Sequence, residues 1–148
     1  MLLLSHVTVS CVIAYRFLRA KDLLSLVAVA VGSILPDWIE TVGKVRILKH
    51  RGISHAAWFW TILGLVWWMC VQKGIVSLSY AGVQQIAFYA RFLIIGIFLH
   101  LLEDALTITG IPVAPFRHER LALRLFATGS RGEAVFVALV VSLLCWLI

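Results

Sequence analysis

Charge is scarce in this chain: Asp, Glu, Lys and Arg make up 14% of 148 residues, and hydrophobic residues 62%, where soluble domains average about 25% and 45–50%. Such a composition excludes an ordinary water-soluble domain and excludes disorder. Cysteine is equally sparse. Cys11, Cys70 and Cys145 lie far apart inside apolar runs, without the spacing of a thiolate metal site or the even count of a disulfide framework. They read as packing residues. No cleavable leader is expected, because Leu2–Leu4 begin at once while Arg16, Arg19 and Lys21 follow the first apolar run instead of preceding it. There is no internal repeat, no low-complexity tract and no linker, so residues 1–148 read as a single membrane-embedded helical domain. The net charge of +6 suggests a nucleic-acid partner, but bases flanking apolar spans set membrane orientation and meet anionic headgroups instead. No nucleic acid is expected.

What is present is a series of five apolar segments, at about Leu2–Leu18, Leu23–Leu35, Ala56–Val71, Ile86–Leu106 and Ala134–Ile148. All read as helices, giving an all-α integral membrane bundle of about five helices. The second segment would be only about 20 Å long, below the roughly 30 Å hydrocarbon core, so some helices are expected to be short or half-inserted. Pro36 is expected to close the second helix, Gly52 to loosen the chain before Ser54 caps the third, and Pro112 and Pro115 to follow the fourth. Arg117, Arg120 and Arg124 fall at helical spacing opposite Leu121, Leu125 and Phe126, which suggests a short interfacial helix, with a solvated basic loop as the alternative. Trp58 and Trp60 near one end of the third segment, and Trp67 and Trp68 near the other, read as interfacial anchors.

An ionisable group in an apolar helix costs a few kcal/mol or more unless partnered. Those here are His6, Asp37, His50, His55, His100, Glu103 and Asp104. If the helices cross alternately, all of them return to one side. Three histidines and two or three carboxylates at one depth are the donors zinc accepts, with manganese or iron as other possibilities. His100 and Asp104 stand one helical turn apart, on a face continued by Gly96 and Thr107. Glu103 is close enough to be ligand, orienting partner or proton acceptor. Within His50-Arg51-Gly52-Ile53-Ser54-His55, Arg51 has the planar fork that suits phosphate, and a helix opening at His55 would offer free amides to an anion. Taken singly, each has a plainer reading. Asp37 could be an exposed turn residue, the loop an ordinary basic surface, and His6 and His118 solvent-facing imidazoles.

Ser5-His6, Gly32-Ser33-Ile34-Leu35-Pro36-Asp37, His50 through His55, and Leu99-His100 through Asp104, Thr107, Gly110 and Pro112 together resemble the YdjM type of membrane-bound, metal-dependent hydrolases. The resemblance covers most of the chain. The order His, Asp, His, His-x-x-x-Asp is also similar to that of the all-α zinc phospholipase C and single-strand nuclease superfamily. It implies Asp37, His55, His100 and Asp104 on one ion, with His6 and a shared Asp104 on a second. The chain departs from that superfamily in lacking a counterpart of its amino-terminal residue bound through the backbone amine. It also lacks the further His and His-x-x-x-Glu ligands after Asp104, so one ion or two is expected instead of three.

The function implied is metal-assisted hydrolysis of a phosphoester in a phospholipid or other anionic lipid, with Arg51 gathering negative charge and His50 or Glu103 moving protons. The alternative is a non-enzymatic membrane protein, in which the metal is a structural staple, or a regulatory or assembly subunit with a protein partner in the membrane. Oligomeric state is not legible. For orientation, Lys44, Arg46, Lys49, Arg51, Arg117, Arg120, Arg124 and Arg131 on the site's side outnumber Arg16, Arg19, Lys21, Lys73 and Arg91 on the other. The positive-inside rule then expects a multi-pass protein of the bacterial inner membrane with its site facing the cytoplasm.

Overall fold

The computed structural model describes residues 1–42, 45–46, 51–73, 80–113 and 119–146. Five α-helices occupy most of them: α1 (Leu3–Phe17), α2 (Leu23–Trp38), α3 (Ala57–Gln72), α4 (Tyr80–Leu106) and α5 (Arg131–Trp146). Two-residue strands pair antiparallel as β1 (Thr41–Val42) with β2 (Val45–Arg46), and β3 (Ile111–Pro112) with β4 (Arg120–Leu121). A 3₁₀ turn, Ile53–His55, precedes α3. The chain is therefore all-α apart from these short ladders.

Among the described residues only α4, over Gly82–Leu106, is long and apolar enough to cross a bilayer. The other helices have 15 or 16 residues, about 22–24 Å. Much of their outer surface is nonetheless greasy. On α5, Val135, Leu139, Leu143 and Trp146 form an exposed stripe, and α3 buries no residue while exposing Ile62, Leu65, Val66 and Trp68. Faces of this size suit hydrocarbon, not water.

The largest helix pair is α2 on α4. Two glycines make it possible: a Cβ on Gly32 would stand 2.1 Å from the Leu93 carbonyl oxygen, and one on Gly96 2.2 Å from that of Val29. The backbones touch where side chains would hold them apart. Val29 packs with Phe92, and Ser33 meets His100, so α2 and α4 run in the same direction. In α1, by contrast, Ala14 packs beside Phe92 while His6 reaches Glu103. The start of α1 and the ends of α2 and α4 therefore share one end of the bundle.

Three local expectations are corrected. Pro36 does not close α2, because in the last turn it removes only its own N–H bond, and the Ile39 N–H to Leu35 O bond at 3.0 Å carries the ladder past it. Ser54 caps nothing. Its hydroxyl is spent on Glu40, and α3 begins after Ala56 without a side-chain cap. No helix forms over 119–126: the N–H groups of Leu123 and Leu125 donate to the Ala105 and Leu106 carbonyls at 2.7 and 2.9 Å. Those carbonyls end α4 and need outside donors; a helix would have consumed the same N–H groups internally. Of the expected anchors, Trp60 is instead a strap, its indole N–H donating to Ser54 O at 2.6 Å. Trp67 and Trp68 are exposed.

Gly96→Leu is expected to destabilise the protein by roughly 3 kcal/mol or to prevent folding, since a side chain there must displace backbone. Gly64→Ala, where the nearest atom stands 4.0 Å away, should be neutral or slightly stabilising. Unfolding in detergent followed by circular dichroism checks both.

Candidate metal centre

Buried polar groups at the shared end come from four elements. His6 lies on α1, Asp37 near the end of α2 with Glu40 just beyond it, His55 in the 3₁₀ turn, and His100, Glu103 and Asp104 in the last two turns of α4. All are at most 2% exposed except Asp37, whose side chain is 28% exposed. Asp37 is the mouth of the cluster.

Each imidazole has one nitrogen committed outward. His100 Nδ1 lies 2.6 Å from the Ser33 carbonyl oxygen, which can only accept, so this nitrogen carries the proton. His6 Nδ1 donates to Glu103 Oε2 at 2.7 Å, and Ser10 holds the other carboxylate oxygen at 2.8 Å. His55 Nδ1 faces Glu40 Oε1 at 2.9 Å, and the same carboxylate accepts from Ser54 and from the Arg51 backbone N–H. The three Nε2 atoms are left turned inward, toward one another and toward two carboxylates.

There the distances are short. His55 Nε2 stands 3.1 Å from His100 Nε2, 3.2 Å from Asp37 Oδ1 and 3.4 Å from Asp104 Oδ2. His6 Nε2 lies 3.4 Å from Asp104 Oδ1, and His100 Nε2 lies 3.8 Å from Asp104 Oδ2. His6 Nε2 and Asp37 Oδ1 are buried with no hydrogen-bond partner among the described residues. Three groups could hold a metal ion: His6, Asp37 and His100; His55, His100 and Asp104; and Asp37, Glu40 and His55. The first two share His100.

Charge supplies a second constraint. Among the described residues, four carboxylates, Asp37, Glu40, Glu103 and Asp104, gather here, and Asp104 Oδ1 receives both the Arg51 guanidinium at 2.8 Å and the Met1 α-amino group at 2.5 Å. Burial disfavours a charged His55, yet the Asp104 and Asp37 carboxylates close to its Nε2 prevail and raise it to about 9. The cluster attracts positive charge.

The structure thus brings His6, Asp37, His55, His100 and Asp104 within reach of one another. Glu103 stands behind His6. Arg51, 4% exposed, points its fork at Asp104 and the Thr107 hydroxyl, not at open space. His50 lies outside the described residues. The amide N–H groups expected to welcome an anion at His55 are already used, with those of His55 and Ala56 bonded to Gly52 and Ile53 carbonyls. The Met1 α-amino group also reaches the cluster, as an ion-pair partner of Asp104. Glu40 was missed; its signal was an acid three residues after Asp37, on the same helical face, where an apolar segment ends.

The profile of the YdjM inner membrane protein family matches residues 1–148. The chain belongs to this family. Its setting is therefore the inner membrane, in accord with the exposed apolar faces of α3 and α5. No curated protein and no solved structure matches the chain.

Proposed function

We propose that this YdjM-family protein is a membrane-embedded, metal-dependent phosphoester hydrolase that uses one or two zinc ions and acts on a phospholipid or other anionic lipid. The observation that carries the reading is the inward convergence of three imidazole Nε2 atoms whose Nδ1 protons are all committed elsewhere. Metal-binding histidines are oriented in this way by carboxylates and backbone carbonyls. Ligands at about 2.0–2.2 Å around a tetrahedral ion stand roughly 3.3–3.6 Å from one another. The observed inward separations of 3.1, 3.2, 3.4 and 3.8 Å bracket that range. A dication would also offset the excess of buried carboxylates. Nitrogen and oxygen donors without a nearby thiol favour zinc, then manganese or iron.

His6, Asp37, His55, His100 and Asp104 would hold the metal, which when bound supplies Lewis acidity to a phosphoryl oxygen and acidifies water. Glu103 and Glu40 fix the rings of His6 and His55. Arg51 anchors Asp104 through one oxygen and leaves the other facing His55 and His100, a positioning role in place of the substrate contact expected from its fork. Asp37 marks where a phosphate would approach. In the reaction the water forms the new P–O bond, the bond to the alcohol oxygen breaks, and the water's proton leaves with the alcohol.

Near-complete burial of four of the five metal-site residues favours a second reading, a closed structural staple joining α1, α2 and α4. Elemental analysis and turnover separate the two. Protein purified in lipid should carry one or two zinc equivalents, cleave a phosphodiester, lose both properties on chelation or His100→Ala, and regain activity with zinc. Glu103→Gln should weaken zinc binding about 10–100-fold. Zinc retained without turnover of any phosphoester would establish the staple; protein without affinity for metal would end both readings.

The cytoplasmic placement of the site rests on its bases, although Arg51 and Arg120 are engaged internally, with Arg120 donating to the Arg51 and Thr109 carbonyls. A cysteine at exposed Leu123, in a background without native cysteines, should react with an impermeant maleimide only in inside-out vesicles. Labelling in intact cells would reverse the orientation.

A further inference from the structure

An apolar groove of about 310 Å³ runs between α3 and α4, walled by Trp60, Leu63 and Trp67 on one side and Ala90, Ile94 and Ile97 on the other, with Gly64 opening its floor. Its upper end adjoins the histidine cluster. Ile97 precedes His100 by a single helical turn, and the Trp60 indole that lines the groove is bonded to the Ser54 carbonyl beside His55. Leu35, two residues before Asp37, packs against the same buried cluster, which includes Ile97, as Trp60 and Leu93 do. The groove thus extends from just below the mouth of the cluster for about 16 Å along α4, from Ile86 to Ile97.

We infer that this groove is an acyl-chain subsite, which holds one tail of an anionic phospholipid while its phosphate is presented at Asp37. The inference rests on the hydrolase reading for the identity of the phosphate, and on the groove itself for the tail. A hydrocarbon chain is the occupant that the lining fits, because the walls are formed by aliphatic and indole side chains and the indole N–H of Trp60 is already bonded to a backbone carbonyl. Access is lateral. Neighbouring Ile62, Leu65 and Val66 on α3 are exposed and apolar, so a tail passes from the bilayer into the groove without meeting water. The wall is also continuous with the proposed site, which an ordinary lipid-facing furrow would not require. Gly64 keeps the floor open: a Cβ there would meet only Ile94 Cδ1, at 4.0 Å.

The test is photolabelling of the full chain in nanodiscs of phosphatidylglycerol containing a tail-diazirine phosphatidylglycerol, with adducts mapped by mass spectrometry. Labelling should concentrate on Trp60, Leu63, Trp67 and Ile94 over Leu139 and Leu143, the exposed residues of α5. Gly64→Phe, and independently Ile94→Trp from the opposite wall, should each reduce that labelling about tenfold, the loss that exclusion of roughly two buried methylenes accounts for. Gly64→Ala should leave it intact. Both blocking variants should still cleave a tail-less water-soluble phosphodiester while losing the phospholipid. Uniform labelling of all lipid-facing residues, or labelling unchanged in both folded blocking variants, overturns the subsite. The hydrolase reading fails separately, if groove labelling is specific and no phosphoester is ever cleaved.

Discussion

The organisation of this protein depends on confining four carboxylates and three imidazoles in a small volume, buried except at Asp37. Each such group, taken alone, would be too costly to bury in a greasy bundle. Together they become tolerable because every Nδ1 proton has an acceptor and Asp104 Oδ1 receives two cationic donors. Even so, the set remains biased toward negative charge, and it raises His55 to about 9 for that reason. In physical terms the interior gathers donor atoms that favour positive charge, and His55 answers by holding its proton.

Packing serves that constraint. The two glycine contacts that press α2 on α4 bring the Ser33 carbonyl within reach of His100 and set Asp37 opposite the same imidazole face. The irregular segment after β4 does related work at the end of α4. By supplying N–H groups to Ala105 and Leu106 it lets the helix stop immediately after Glu103 and Asp104, without burying unpaired carbonyls. Trp60 secures the 3₁₀ turn that carries His55, so a single side chain connects the apolar groove with the polar cluster. The long α4 combines an apolar stretch long enough to cross a bilayer with a polar centre, because the centre occupies its last two turns.

Much of this was legible in the sequence. Five apolar runs match five helices to within three residues at each end, except that α4 starts six residues before the expected Ile86, and the convergence of His6, Asp37, His55, His100 and Asp104 followed from alternation of helix direction. What was not legible depended on partners distant in the chain. Ser54 reads as a cap until Glu40 claims its hydroxyl, and Arg51 reads as a phosphate clamp until Asp104 and Thr107 fill its fork. The stretch from Arg120 to Phe126 has a helical period, yet the carbonyls ending α4 outweigh that preference. Pro36 was read as a stop because propensity does not register that the last turn has few bonds to lose. Glu40 was overlooked because a single acid at a helix end carries no motif.

X-ray absorption at the zinc edge, on protein loaded with zinc in lipid, bears most directly on whether these side chains form one metal centre. The account predicts a nitrogen and oxygen shell at about 2.0–2.2 Å with the outer scattering of two or more imidazoles, reduced by one imidazole in His55→Ala. A shell containing sulfur, or a spectrum with no imidazole scattering and no response to His55→Ala, would contradict it.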